Sequence, residues 1–380
     1  MNTSFSKIHK RVLMSADAVG GVWTYALELT RALEPHNIEI LLATMGAPPN
    51  EEQREEARKI PNLSVFKSDY KLEWMENPWR EVRLAGEWLL ELERRLKPDI
   101  VHLNGFAHGS LAWHAPKLVV GHSCVLSWWQ AVNSENPPAA WNRYKHEVVK
   151  GLHAADLVVA PTQAMLDSLE ENYGLLPNKR VVPNGRNAEL FHGGNKEEIA
   201  FSVGRLWDEA KNISTLARVA PNLSWRVYVA GEKTHPDGGV KQQFDNVNLV
   251  GRLSPEPLAE WYARAAIYVL PARYEPFGLS VLEAALAGCV LVLGDIPSLR
   301  EVWQDSALFV PPDDGRMLCE VLTNLMENKN RREELVRKSR ARALEFNLRR
   351  MAENYLVAYS ELLTNAPQTA EINEGFVCTS

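Results

Sequence analysis

The sequence predicts an α/β protein built from two doubly wound domains that face each other across a central cleft. Three observations carry this. Short β-branched and aliphatic runs alternate with helix-length amphipathic segments from end to end, the pattern of parallel strands joined by crossover helices. The pattern stops at one Asn-, Gly- and Pro-rich stretch near the middle and then restarts. The chain has 380 residues, 46% of them apolar, enough for two cores of ordinary size.

In order, the first half places strands near Val12 to Ser15, Ile38 to Thr44, Leu63 to Phe66, Ile100 to Leu103, Leu118 to Gly121 and Leu157 to Ala160. The segment KRVVPNGRNAELFHGGNKEE then suits a linker and hinge near residues 183 to 196. Strands resume near Ile199 to Val203, Trp225 to Ala230, Val247 to Val250, Ile267 to Leu270, Val290 to Leu293 and Ala307 to Val310. Residues 1–183 thus form the first domain and 184–350 the second. A terminal helix over 351–366, with apolar positions three and four apart, is expected to pack back on the first domain, and 367–380 reads as a loose polar tail. Ligands of doubly wound sheets bind at the carboxyl ends of the strands, so the cleft is where chemistry belongs.

Composition narrows the function. A net charge of −6 argues against general nucleic-acid binding, which needs a basic surface. Cys124, Cys289, Cys319 and Cys378 are far apart, form no Cys-x-x-Cys pair and read as reduced thiols. The first ten residues hold no apolar run of signal-sequence type, and later apolar stretches are only strand length, which fits a cytoplasmic enzyme.

The most informative segment is RYEPFGLSVLEAALAG, Arg273 to Gly288, between the strand AIYVLP and the run VLVLGD. Pro276 disfavours helix at Glu275, and a helix should begin near Gly278. Glu283 then lies about five residues in, roughly 7 Å along the axis at ~1.5 Å per residue, so the two acids bracket a helix N-terminus. The first turn presents unpaired N–H groups, here of Gly278, Leu279 and Ser280 just after Phe277, which favour a phosphate. One carboxylate can then take hydroxyls of a sugar on one side of the phosphate, and the other a ribose on the opposite side. For an arbitrary pair of glutamates a solvated surface is the better reading. Here the Pro-Phe-Gly turn and the small, apolar helix argue against one.

This stretch resembles the Glu-x7-Glu motif of retaining GT-B glycosyltransferases, most closely those of glycosyltransferase family 4. The resemblance runs from VLMSADAVGGVWTYALELTRAL to the terminal helix. It implies two Rossmann-like domains, with Glu275 on the donor sugar and Glu283 on the nucleotide ribose. Arg205 and Lys211, in GRLWDEAKN, have on their own residues two equal readings, a solvated loop or a pair sharing a diphosphate's charge. The resemblance implies the second. It also implies that the Gly20–Gly21 loop touches the donor phosphate, although by itself a Gly-Gly turn is more often a plain connection. A full Gly-x-Gly-x-x-Gly is absent, which argues against a nicotinamide enzyme. His122, at the end of the strand KLVVG, is implied as a sugar contact. Arg252 and Leu253, in VGRLSPEP, are expected to meet the nucleotide base.

His102, His108, His114 and His122 match no zinc spacing, and the chain contains no Asp-x-Asp, so no metal or other cofactor is expected. Positive charge for the diphosphate then comes from Arg205, Lys211 and helix dipoles. Eight of the twelve tryptophans lie in the first half, and core packing accounts for most. Trp128 and Trp129, next to Pro137–Pro138 in a loop-like region, have a second reading as platforms for an acceptor sugar. The basic run Lys329 to Arg342 allows peripheral contact with an anionic membrane, but the interleaved Glu333 and Glu334 favour a solvated helix face.

The function expected is therefore hexosyl transfer with retention, from UDP-glucose first or GDP-mannose second, to a glycan or lipid-linked saccharide in envelope or exopolysaccharide synthesis. Two alternatives share the fold: a sugar-nucleotide epimerase, and a silent regulator that binds a nucleotide sugar.

Overall fold

Parallel strands form the frame of the described residues, 9–18, 20–234 and 244–365 of a computed structural model. The first sheet contains β1 (Lys10–Asp17), β2 (Ile38–Met45), β3 (Leu63–Lys67), β4 (Ile100–Leu103), β5 (Lys117–Val120), β6 (Leu157–Ala160) and β7 (Lys179–Val181), in the order 3-2-1-4-5-6-7. The second contains β8 (Glu197–Val203), β9 (Arg226–Ala230), β10 (Asn248–Gly251), β11 (Ala265–Leu270), β12 (Val290–Gly294) and β13 (Leu308–Val310), in the order 10-9-8-11-12-13. Both sheets are buried on their two faces, as helix crossovers require. In β1, Val12 and Met14 enter one core while Leu13 enters the opposite one, the period of two that a strand imposes.

Each sheet reverses its strand order once, between β1 and β4 and between β8 and β11. Such a reversal splays the following loops to opposite sides and opens a crevice at the strand ends. The loops after β1, β4, β8 and β11 carry Gly20, Asn104, Arg205 and Glu275, so the two crevices hold most of the residues of interest.

Sequence and structure differ at β7, whose residues the sequence assigns to the quoted linker segment. The strand is three residues long, lies at the sheet edge and contains two basic residues, so it carries no hydrophobic alternation. The helix Val125–Asn133 is a second correction, because Trp128 and Trp129 sit on it rather than in a loop. Cys124 caps it, its sulfur accepting from the Ser127 amide, and Ser134 ends it in the left-handed region with φ 56°.

Helix Lys329–Ala343 packs on the second domain through Leu335 and Ala343. Its basic face is partly tied down, with Lys329 paired to Glu333 and Lys338 to Glu334 one turn apart. The terminal helix Leu348–Asn365 leaves it and adds Met351, Tyr355, Tyr359 and Leu362 to the first domain's core. The chain therefore crosses between domains twice, and the crossings touch: the Arg186 amide donates to the Phe346 carbonyl at 3.0 Å. Gly185 is required there, since a Cβ on it would lie 2.6 Å from the Asn347 carbonyl oxygen. The expected polar tail lies outside the described residues.

Candidate active site

Gly278, with φ 89°, turns the chain after β11 into the helix Leu279–Leu286; a Cβ at this position would come within 2.9 Å of Val281. The helix N-terminus faces the first domain, where a Cβ on Gly21 would lie 3.5 Å from Leu279. Gly20 faces Arg205, 4.0 Å from its Nη1 by the same measure. The Gly20–Gly21 turn of the first domain thus lies against the second-domain loops that carry Arg205 and Leu279. Ser280 is held by its hydroxyl, which accepts from Tyr268 at 2.8 Å. Phe277 turns its ring into the core, edge-on to Phe346, so what it offers the cleft is backbone and not the aromatic face.

Of the acids and bases expected to handle the donor, Lys211 and Glu275 pair with each other, while Arg205 and Glu283 find other partners. Lys211 Nζ lies 2.6 Å from Glu275 Oε2, both side chains 14% exposed. Arg205 Nη2 lies 2.7 Å from Asp208 Oδ2, with the guanidinium over the Trp207 ring. Asp208 also accepts from the Ala210 amide and, across the cleft, from Trp128 Nε1 at 2.8 Å. Burial works to raise the Asp208 carboxyl, but Arg205, Lys211 and the Trp128 bond outweigh it and hold the group below the usual carboxylate range. Asp208 passed unnoticed in the sequence because an isolated acid in a loop has no periodic signature.

Glu283 is deeper. Its Oε2 accepts from Tyr262 at 3.1 Å and its Oε1 lies 3.0 Å from Arg186 Nε, while Arg186 Nη1 donates to Glu28 Oε1 at 2.7 Å. Burial pushes the Glu283 carboxyl up, and Arg186 and Tyr262 offset this only in part.

His122 stands after β5 with Nε2 2.8 Å from Asn104 Oδ1. Asn104 Nδ2 donates to the Ser15 carbonyl, so its oxygen faces the ring; the proton sits on Nε2 and Nδ1 is left as an acceptor. Burial lowers the His122 pKa to about 3, and the ring is neutral at physiological pH. His102 is fully buried between Tyr25 and Tyr359, His108 bonds the Val82 carbonyl and His114 contacts Glu93, so these three do not converge on one point.

A cavity of about 480 Å³ opens on the first-domain side of the cleft. Gly20, Gly21, His122, Arg205 and Asp208 line one part of it, and Trp74, Trp128, Trp129, Trp141, Tyr144 and Glu73 another. Glu73 accepts from the Phe106 and Ala107 amides, and burial raises its pKa despite those bonds. Glu275, Lys211 and Glu283 do not line this cavity: Lys211 and Glu275 are turned toward each other, and Glu283 toward Arg186 and Tyr262. Arg252 is exposed at the end of the outer strand β10, and Leu253 packs on the second domain's core; neither reaches the cavity. A second opening of about 590 Å³, at Asn212, Arg218 and Arg273, shares only Asp208 with the first.

The domains also meet outside the cavity. Glu301 accepts from the Gln163 and Ala164 amides at 2.7 and 2.9 Å, and Thr162 Oγ1 donates to the Pro276 carbonyl beside Glu275. Among the described residues no helix is long and apolar enough to cross a membrane.

Residues 19–190 match the family described as Glycosyltransferase Family 4, and residues 197–328 match the family described as Glycosyl transferases group 1. Among similar proteins is a glycogen synthase of Mycobacterium tuberculosis, 27% identical, covering 74% of this chain and 76% of that protein. A D-inositol 3-phosphate glycosyltransferase of Thermomonospora curvata is 25% identical over 88% of this chain and 90% of its own. In fold the chain is similar to a sucrose-phosphate synthase from Thermosynechococcus elongatus, with TM-score 0.78 and 19% identity over 93% and 99% of the two chains. It is also similar to Anabaena HepE in complex with UDP-glucose, with TM-score 0.73 and 14% identity over 93% and 100%. Two parallel sheets whose crevices oppose each other, with family matches on either side of the linker, make this chain a GT-B glycosyltransferase of family 4.

Proposed function

We propose that the protein transfers a hexose from a nucleoside-diphosphate sugar to a saccharide or lipid-linked saccharide, with retention at the anomeric carbon and without a metal ion. UDP-glucose is the first donor to test and GDP-mannose the second. The observation that carries the reading is the Lys211–Glu275 pair at 2.6 Å, close to Arg205 on a shared neighbour, Asp208, and just ahead in the chain of the helix Leu279–Leu286. A diphosphate entering there meets two cations and free N–H groups, while Glu275 is freed to accept hydroxyls of the transferred sugar. UDP-glucose bound to Anabaena HepE, a protein of the same fold, supports the donor class.

In the reaction the acceptor hydroxyl oxygen bonds to the anomeric carbon on the face from which the diphosphate leaves. The carbon–oxygen bond to phosphate breaks with its electron pair, and the leaving diphosphate takes the hydroxyl proton. Arg205, Lys211 and the first turn of the helix stabilise the charge that develops. Neutral His122 offers Nδ1 to a sugar hydroxyl. Trp128 and Trp129, joined by Trp74, Trp141 and Tyr144, give the acceptor apolar faces to stack on. The setting is cytoplasmic envelope or exopolysaccharide assembly, with the acceptor presented at the inner membrane face.

Incubation with labelled UDP-glucose or GDP-mannose and candidate saccharides, read by NMR for anomeric configuration, tests this. An α-linked product from an α-configured donor, undiminished by EDTA, is expected. Inversion, a free epimerised nucleotide sugar, or a loss restored by magnesium would overturn the corresponding part.

A further inference from the structure

Glu283 does not stand alone at the nucleotide site. Arg186, in the linker, has a side chain 9% exposed and lies between Glu283 on the second domain and Glu28 on the first helix, Gly21–Leu33. Its guanidinium also sits over the Phe191 ring, 5.1 Å from the centroid. Two buried carboxylates thus share this cation, and Glu28 has a second one in Arg31, whose Nη1 lies 3.5 Å from its Oε1. Glu28 Oε2 has no hydrogen-bond partner, and Arg186 Nε faces Glu283 without an aligned hydrogen bond, so the cluster is not saturated. A buried carboxylate stripped of its cation would take up a proton and become a weaker acceptor. The helix that carries Glu28 begins at Gly21, which meets Leu279 of the second domain.

We propose that Arg186 is a positioning residue, which holds the Glu283 carboxylate in place for the ribose hydroxyls and, through Glu28, links nucleotide binding to the position of the first domain. This rests on the reading above that Glu283 receives the ribose. A nucleotide that draws on Glu283 changes its hold on Arg186, and with it the tie to Glu28. Because the coupling is reciprocal, a first domain displaced from Arg186 weakens the grip on ribose. The effect belongs to the hydroxyls of the nucleotide, not to its phosphates.

Calorimetric titration with UDP, GDP and their 2′,3′-dideoxy counterparts tests the assignment in the full chain. The wild type is expected to prefer the ribose form, and Arg186→Gln to weaken its binding by about tenfold while bringing the ratio of the two dissociation constants close to one. In a Glu283→Gln background Arg186→Gln should change that ratio no further. If Arg186→Gln does not fold, Arg186→Lys is read instead: an ammonium serves one carboxylate at a time, and the ratio should fall about threefold or more. A folded variant that keeps the wild-type ratio, or a wild type indifferent to the ribose hydroxyls, overturns the inference. A wild type that binds neither nucleotide overturns the proposed function, and this inference with it.

Discussion

Replacing Lys211 by methionine removes the ammonium and keeps most of the stem, so the change reports on charge more than on packing. With side chains 14% exposed, Lys211 and Glu275 sit in a partly desolvated environment. Opposite charges about 4 Å apart there attract by ~4 kcal/mol, against ~1 kcal/mol in water. A donor aimed at developing charge in such a place is worth roughly 2.7 to 4 kcal/mol, or about 100- to 1,000-fold in rate. Arg205 is 41% exposed and better screened, so Arg205→Met should cost only about tenfold. Lys211 is already paired before the donor arrives, and therefore gains more from the departing diphosphate than from the intact substrate. The loss should fall on kcat, with the directly measured donor affinity changing less than about fivefold. Initial rates at saturating donor and acceptor give kcat, calorimetry gives Kd, and Glu275→Gln separates loss of the pair from loss of the cation. Combining Arg205→Met with Lys211→Met should lose less than the product of the single factors, because both cations act on one group. A Lys211→Met enzyme with kcat within about threefold of wild type, or one whose whole loss is in Kd, would refute the electrostatic argument.

Glu283→Gln should weaken nucleoside-diphosphate binding by about 1.5 to 3 kcal/mol, whereas Glu275→Gln leaves it nearly intact and lowers turnover; equal losses by calorimetry would contradict the division of roles. Trp128→Phe keeps an aromatic face but deletes the donor to Asp208, and should loosen closure by about 1.5 kcal/mol, seen as raised KM values with the melting temperature little changed. His102 is neutral in the fold because burial lowers its pKa from 6.5 to about 3. The unfolded chain binds its proton first, so stability present above pH 6.5 is lost as pH falls, by about 2 kcal/mol at pH 5. Denaturant titrations of wild type and His102→Gln at pH 7 and 5 check this, and equal pH slopes would remove His102 as the cause.

The two sheets were legible because strands buried on both faces read as continuous apolar runs, while β7, short and basic, had nothing to register. The Glu275–Glu283 spacing was legible for a similar local reason, since strand, turn and helix lie in one short stretch, Ala265 to Leu286. What pairs with those acids was not. Lys211 and Glu275 are 64 residues apart, Trp128 and Asp208 80, and Glu28 and Arg186 158. The first contact joins two loops of the second domain and the other two reach across to the first, and no periodicity announces any of them. Trp128 shows the cost: its place beside the cavity could be argued from composition, but not its bond across the cleft.

Tyr25 and Tyr355 join hydroxyls at 2.5 Å across 330 residues, with His102 and Tyr359 completing the same buried network. A ribosome adding roughly 5 to 20 residues per second needs about 16 to 66 s to make the chain between them. Once β7 has been made, the nascent first domain has all its strands but lacks the helix that covers Tyr25, Leu29 and His102. The second domain, whose strands and helices are contiguous, can meanwhile close its core. The helix that seals the first domain is thus made only after the whole of the second, so the core begun first is closed after the one begun later.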